Sequence, residues 1–380
     1  MGWQILRRNI VRVVLGAVLV TAVYGVIRVY STNLIEQHFS NPPEQSFSNP
    51  PEQQSTNLQE PQSTNPQEQQ STDLREQRIA REVESLGKFV SAGHLHYENS
   101  RISEVWIDGD FLKSDGLTLS AELVADLLTL TNLKVLALSD TQVTDAELQQ
   151  LNELTQLKSL GLANTQITDA VLQHLKGMAQ LEWLYLDGTK VTDAGLEHLQ
   201  GLPRLEGLRL DNTQITDAGL PRLQGLTRLN FLSLANTQVT DAGLALLQGH
   251  PSLRRLDLEN SQVTDAGLEH LQGLPNLEEL TLHNTKITDI GLQHLKGMNR
   301  LKWLFLRNTQ VTDSGLEYLK GLVNLERIVL DKTQVTDSGM KCLTGLTRLE
   351  YIGLENTQVT STGRSLLRNV LPHCATDEDF

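Results

Sequence analysis

Aromatic residues are scarce. Phenylalanine, tryptophan and tyrosine make up 4% of 380 residues, while hydrophobic residues make up 39%. A globular core of this size normally draws on aromatic volume, so a core built almost wholly of leucine points to something regular and thin. Cysteine is scarcer still. Cys342 and Cys374 are too few for a disulfide framework or a four-ligand zinc site. They say nothing about the redox compartment, and a bond between them near the end of the chain is left open. Positive charge is in deficit, with 32 Lys+Arg against 46 Asp+Glu and a net charge of -14. Phosphate binding needs a basic face, so nucleic acid is excluded as the main partner. Catalytic signatures are missing as well: there is no HExxH, P-loop, GxSxG or kinase-like set. The chain is therefore read as a non-enzyme, with no cofactor and no metal.

Long apolar runs are confined to the N-terminus. Arg7, Arg8 and Arg12 precede an uncharged stretch from Val13 to Ile27, and Val29 and Tyr30 follow Arg28. A spanning helix needs roughly 17–25 residues, and snorkelling of the flanking arginines brings this stretch to that length. The expectation is a transmembrane helix over about residues 10–30 that acts as a signal-anchor. The basic cluster places the N-terminus in the cytoplasm and the remainder on the periplasmic or extracellular side. A cleaved signal peptide, with Val20-Thr21-Ala22 at the cleavage site, is the rival reading. A non-spanning helix is the third.

Residues 31–78 form a degenerate octapeptide, as in FSNPPEQS, FSNPPEQQ and STNPQEQQ, and hold six of the eleven prolines. So few apolar residues cannot offset the entropy of ordering, and the expectation is a disordered linker of polyproline II character. From Leu74 to Val90 the pattern turns helical, with Ile79, Val83, Leu86 and Val90 on one face. Residues 79–132 are read as a helix and an N-terminal cap, with a strand-like VWID at 105–108.

From Leu133 the sequence repeats every 24 residues for ten units, to residue 360. The paired leucines run from Leu136/Leu138 through Leu184/Leu186 and Leu256/Leu258 to Ile352/Leu354. Within a unit, LxxLxL alternates with period two and predicts a short strand with leucine inward. A Thr or Ser follows, from Thr141 to Thr357, and its hydroxyl is placed to bond the turn that leaves the strand. Thr144/Asp145 and their equivalents offer an N-cap oxygen and a carboxylate to a helix start. GLEHLQGL then supplies one or two turns of inward-facing helix. One unit cannot bury its leucines, whereas stacked units can.

These residues resemble the leucine-rich repeat superfamily over about Ile102–Cys374. The VTDAGL variant, with Thr at the usual Asn position, is similar to a 24-residue bacterial type found in arrays in planctomycete-like genomes. It is also similar to the units of F-box-associated arrays, although no F-box precedes it here. The resemblance implies an α/β solenoid with parallel strands on a concave face and short helices on a convex one. Residues 361–380 are read as a C-terminal cap and acidic tail, with LRNVLPHC as a closing half-repeat.

In such a solenoid the residues flanking the inward leucines face solvent on the concave side. Of the seven aromatics between 133 and 360, Trp183, Tyr185, Phe231, Trp303, Phe305 and Tyr351 fall there, and only Tyr318 does not. Clustered exposed aromatics mark partner surfaces. Strand propensity and duplication compete with that reading. Aromatics suit strands whatever their role, and an offset of 120 residues relates 168–187 to 288–307 and 225–240 to 345–360. Around the rings lie Arg209, Arg255, Asp257, Glu259, Arg307 and Arg327. Aromatic anchors among mixed charge suit a protein or peptide; a glycan of the cell envelope and an intracellular adaptor role are the alternatives. His174, His198, His270 and His294 recur in the helix column and are read as polar residues on a solvated face.

Overall fold

The computed structural model describes residues 74–83, 93–98, 101–107 and 119–377. The expected membrane helix and all of the linker before residue 74 lie outside the described residues. Among the described residues no helix is long and apolar enough to cross a membrane. The helix read from Leu74 is present over residues 74–83, so residues 74–78, also counted in the linker, belong to the helix. Its Ile79 and Val83 are fully buried, so the apolar periodicity outweighs the polar composition around it.

Among the described residues, thirteen strands form one sheet in strict chain order. β1 (Gly93–Glu98) and β2 (Arg101–Ile107) pair antiparallel; from β2 onward every pairing is parallel. Each repeat contributes three residues, from β3 (Val135–Ala137) to β12 (Tyr351–Gly353), and β13 (Ala375–Thr376) closes the sheet. The register never slips: Leu184 lies beside Leu208 and Leu304 beside Ile328. That follows from the constant 24-residue period, which returns each leucine to the same layer. The strand of the N-terminal cap joins in phase, with Val105 beside Leu136. Its Ile102, Val105 and Ile107 are buried and cover the first leucine layer.

The core is one continuous cluster, almost all leucine, valine and isoleucine. One position breaks the pattern. His250 stands where Leu202, Leu226 and Leu274 stand in other repeats, and it is 1% exposed. Neither ring nitrogen forms a full hydrogen bond, although the backbone at Leu223 and Leu226 faces the ring, and burial holds the imidazole below its ordinary pKa.

Three polar devices repeat with the strands. The threonine after the strand donates its hydroxyl to the carbonyl three residues back, as in Thr165 to Leu162 at 2.6 Å and Thr309 to Leu306 at 2.7 Å. The residue before it takes a left-handed conformation, with φ of 54–56° at the asparagines from Asn212 to Asn356 and 63° at Gly188. Asparagine tolerates that region better than most side chains. The third device differs from the expectation. The threonine of most TD pairs caps its own helix, as Thr168 does by accepting from Ala170 N–H, although Thr264 makes no such bond. The aspartate, however, serves the following repeat. Asp169 Oδ1 accepts the Thr192 N–H at 2.8 Å and its Oδ2 accepts the Thr192 hydroxyl at 2.7 Å. Nine such staples run from Asp145–Thr168 to Asp337–Thr360. They tie each helix start to the next, which a reading confined to one unit does not show.

Cys342 and Cys374 are buried and are not joined in a disulfide. The Cys342 thiol donates to Glu317 at 3.1 Å, and burial pushes it up to about 11. Residues Ser361–Val370 form the closing helix, and the Asp377 carboxylate accepts the Leu354 N–H.

Candidate partner-binding face

The flanking positions of each three-residue strand lie on the side away from the leucine core and form two rows across the sheet. A third row follows the second leucine of each pair. Few of these side chains stand free in solvent, in contrast to the expectation. Ser159, Gly207 and Glu279 of the first row are buried, as are Gly161, Ser233 and Thr281 of the second. Strands lie about 4.8 Å apart, so each long side chain packs against the side chain of the next strand or, as Trp183 does at Gly207, over a missing one. The named rings and arginines are half-buried, each covering part of the next.

The first row is a ladder of rings and charges. The Trp183 indole lies across Gly207, where a Cβ would run into the ring. That vacancy brings Trp183 within 6.0 Å of Phe231, two repeats away, whereas strand spacing alone gives about 10 Å. Trp183 also stacks on Tyr185 at 6.2 Å with an interplanar angle of 18°. The Arg255 guanidinium sits 5.0 Å from the Phe231 ring. Beyond it comes Glu279, then Trp303, Arg327 and Tyr351, with Arg327 between the rings at 5.8 Å and 5.2 Å. Both spacings suit cation–π attraction.

Glu279 is 9% exposed and its Oε2 has no partner. Burial pushes its carboxyl up to about 6, against the pull of Arg255 and Arg327.

The second and third rows carry most of the remaining charge. Arg209 bridges Asp187 at 2.8 Å and Asp211 at 2.6 Å. Ser233 donates its hydroxyl to Asp211, and the Ala235 N–H joins at 3.0 Å. Burial raises the Asp187 carboxyl against the attraction of Arg209, and Asp211 adds to the rise. Asp257 accepts the Glu259 N–H at 2.9 Å, and burial, helped by Asp211, pushes it up to about 7. Glu259 takes an N–H from Asn284 at 3.1 Å. Further along, His283 Nδ1 accepts the Arg307 N–H at 3.0 Å. Its ring meets Phe305 edge-on at 5.6 Å, and burial followed by Arg307 lowers it to about 4.

Every residue assigned from the sequence to the partner face therefore lies in one of these rows, but in two groups. Trp183, Tyr185, Arg209, Phe231, Arg255 and Asp257 are brought together in the third to sixth repeats; Trp303, Phe305, Arg307, Arg327 and Tyr351 in the eighth to tenth. Sequence reasoning missed Asp187, Asp211 and His283. They were legible as the residue after each second leucine, a third column in the same phase. Among the described residues no group of His, Cys, Asp or Glu is arranged to hold a metal ion.

The fold agrees with comparisons to known proteins. A family model described as "Leucine-rich repeat region" matches residues 117–371, so the chain belongs to the leucine-rich repeat family. An internalin, InlF, from Listeria monocytogenes strain 4b F2365 is 28% identical; the match covers 68% of this chain and 70% of that one, with a TM-score of 0.53. A second internalin of that strain, InlC2, is 25% identical over 66% of this chain and 89% of that one, with a TM-score of 0.36. A search of the curated proteins finds none that matches. The leucine-rich repeat fold is in general a non-enzymatic binding scaffold.

Proposed function

We propose that the strand face from Trp183 to Tyr351 binds a protein or peptide, and that the N-terminal apolar segment holds the array at a membrane. The repeats belong to the 24-residue bacterial type, and the array faces the periplasm or exterior. One observation carries the binding reading. Six of the seven aromatics between 133 and 360 stand in two rows of the sheet face, half-buried against one another or against arginine and histidine side chains rather than in the leucine core. Rings held in this way lose little side-chain entropy on binding and supply the anchors typical of hot spots.

The test is capture by the full chain with and without Trp183→Ala and Trp303→Ala. Each variant is expected to fold and to weaken binding by about 1–3 kcal/mol. Unchanged capture by the double variant would remove the reading, and capture of polysaccharide rather than protein would turn it toward a glycan. For the membrane part, the full chain is expected to pellet with membranes and to resist salt extraction, while a chain lacking residues 1–30 is soluble. A soluble native product beginning at Val23 would instead mean a cleaved signal.

A further inference from the structure

The core holds one polar layer that the fold does not require. His250 closes the fifth repeat in a column that runs from Leu154 through Met178, Leu226, Leu274 and Met298 to Leu346. The turn before it is the one that precedes the two methionines. Gly177, Gly249 and Gly297 have φ of 97°, 80° and 89°, and no other described repeat has a positive-φ glycine at that position. The same turn therefore seats a thioether at Met178 and Met298 and an imidazole here. The imidazole is buried, and neither of its nitrogens has a hydrogen-bond partner.

The helix just before it, Asp241–Leu247, packs on the 3₁₀ helix Asp217–Gly225 of the fourth repeat and on residues 265–273 of the sixth. The polar groups nearest the ring are the backbone of Leu223 and Leu226, whose carbonyls already accept N–H groups from Leu226 and Leu229. The charged groups of these elements are engaged elsewhere. Asp217, Asp241 and Asp265 are stapled to Thr240, Thr264 and Thr288. Arg222 reaches Glu197 at 4.0 Å, and Arg254 pairs with Glu278 at 2.6 Å. Arg228, Glu269 and the half-buried His270 lie at the surface. Burial and the two backbone groups are what act on the ring. The adjoining fourth repeat is loosely held as well. Pro221 stands inside its 3₁₀ helix, where it cannot donate a backbone hydrogen bond, and Arg222 Nε is buried without a partner.

We infer that the fifth repeat is an acid-sensitive joint in the array, opened by protonation of His250. A cation with no counter-charge cannot stay in a leucine layer, so the packing between the fourth and sixth repeats parts to hydrate it. The opening is local, because each repeat contacts only its neighbours. In the open state the ring takes its proton near the ordinary histidine value of about 6.5, and in the closed state burial holds it lower. The closed joint is therefore unaffected above that value and is lost progressively as pH falls below it. Phe231, against which Trp183 and Arg255 lie, stands on the strand of this same repeat. Acid thus disturbs the first ring group and spares the second, whether or not that face holds a partner.

Hydrogen exchange of the full chain, followed by mass spectrometry from about pH 7.5 to about pH 5 and corrected for intrinsic exchange, tests the joint. Peptides covering residues 217–254 are expected to lose protection by up to about tenfold per pH unit below about 6.5, while peptides covering 289–343 keep theirs. His250→Met, which the turn already accommodates at Met178 and Met298, should abolish that pH dependence and leave protection at pH 7.5 unchanged or raised. Titration of Asp257 acts in the opposite sense and is common to both chains, so the difference between them reads His250 alone. An equal loss in the native chain and the variant would overturn the inference. So would a loss spread evenly along the array, or no loss at all. If His250→Met does not fold, His250→Leu, which matches Leu226 and Leu274 on either side, takes its place; if neither folds, the position of the loss in the native chain decides by itself.

Discussion

The two copies of the ring group share a scaffold and differ in what stands between the rings. In the first, the glycine at 207 lets Trp183 reach Phe231; in the second, Arg327 fills the same place and is sandwiched by Trp303 and Tyr351. The aliphatic layer beneath the strands, in which only Leu208 and Leu232 are exchanged for Ile328 and Ile352, and the aspartate staples beside it are shared by both. A single residue in the intervening repeat thus decides whether two aromatics form a continuous apolar platform or a cation-centred one. The lesson is that a solenoid fixes positions far more tightly than it fixes surface chemistry. Each strand-face residue is judged by its neighbours one repeat away, not by its own repeat.

The largest expected effect tests the shared scaffold. Leu184→Asp and Leu304→Asp occupy copy-related, fully buried positions. Each puts an unpaired charge into a leucine layer and should cost several kcal/mol. Urea titration should show comparable losses, and tolerance in one copy alone would break the equivalence of the two scaffolds.

The staples come next. Asp169→Ala and Asp289→Ala each remove the acceptor of one N–H and one hydroxyl in the following repeat. Losses of about 2–3 kcal/mol are expected in each case, again equal between copies in denaturant melts. Unequal losses would mean that one staple is redundant.

The third effect separates the copies. Asp257 titrates near 7 in the folded chain and near the ordinary aspartate value when unfolded. Between those values the native state binds the proton more tightly. This stabilising contribution is therefore complete below about pH 4 and is lost as pH rises through 7. Arg209, Asp211 and Glu259 are the charged groups that face it. Asp257→Asn should raise stability at pH 8 by about 1–2 kcal/mol, once solvent screening is allowed for, and should flatten the profile between pH 5 and 8. A stability profile unchanged by the substitution would show that Asp257 is solvated after all.

The smallest effect goes to the point of difference itself. Gly207→Arg should lift Trp183 off Phe231, and Arg327→Gly should let Trp303 and Tyr351 close on each other. Stability is expected to shift by about 1 kcal/mol or less, since half-exposed ring contacts contribute about that much. The readout is tryptophan fluorescence together with ring–ring NOEs. If Trp183 keeps its contact with Phe231 in Gly207→Arg, the glycine is not what brings the rings together.

Much of this molecule was legible in one unit of its repeat. The period of 24 gave the layer and face of every leucine, because a side chain that returns at constant spacing has only one place in a stacked array. The threonine hydroxyl at the strand exit was equally readable, since its partner lies three residues back in the same unit. Ring positions followed from the same phase. What escaped reading involves two repeats at once. The aspartate of VTDAGL looks like a cap for its own helix until the next repeat is laid against it; only then do the Thr192 N–H and hydroxyl come within reach of Asp169. The 6.0 Å approach of Trp183 to Phe231, the sharing of Arg209 by Asp187 and Asp211, and the orphaned oxygen of Glu279 likewise depend on side chains that neighbouring repeats contribute. Sequence alone therefore determined the fold, the register and which residues line the face, because those follow from local periodicity and burial. Tertiary structure decided their contacts and protonation, because both depend on which side chain the next repeat places about 5 Å away.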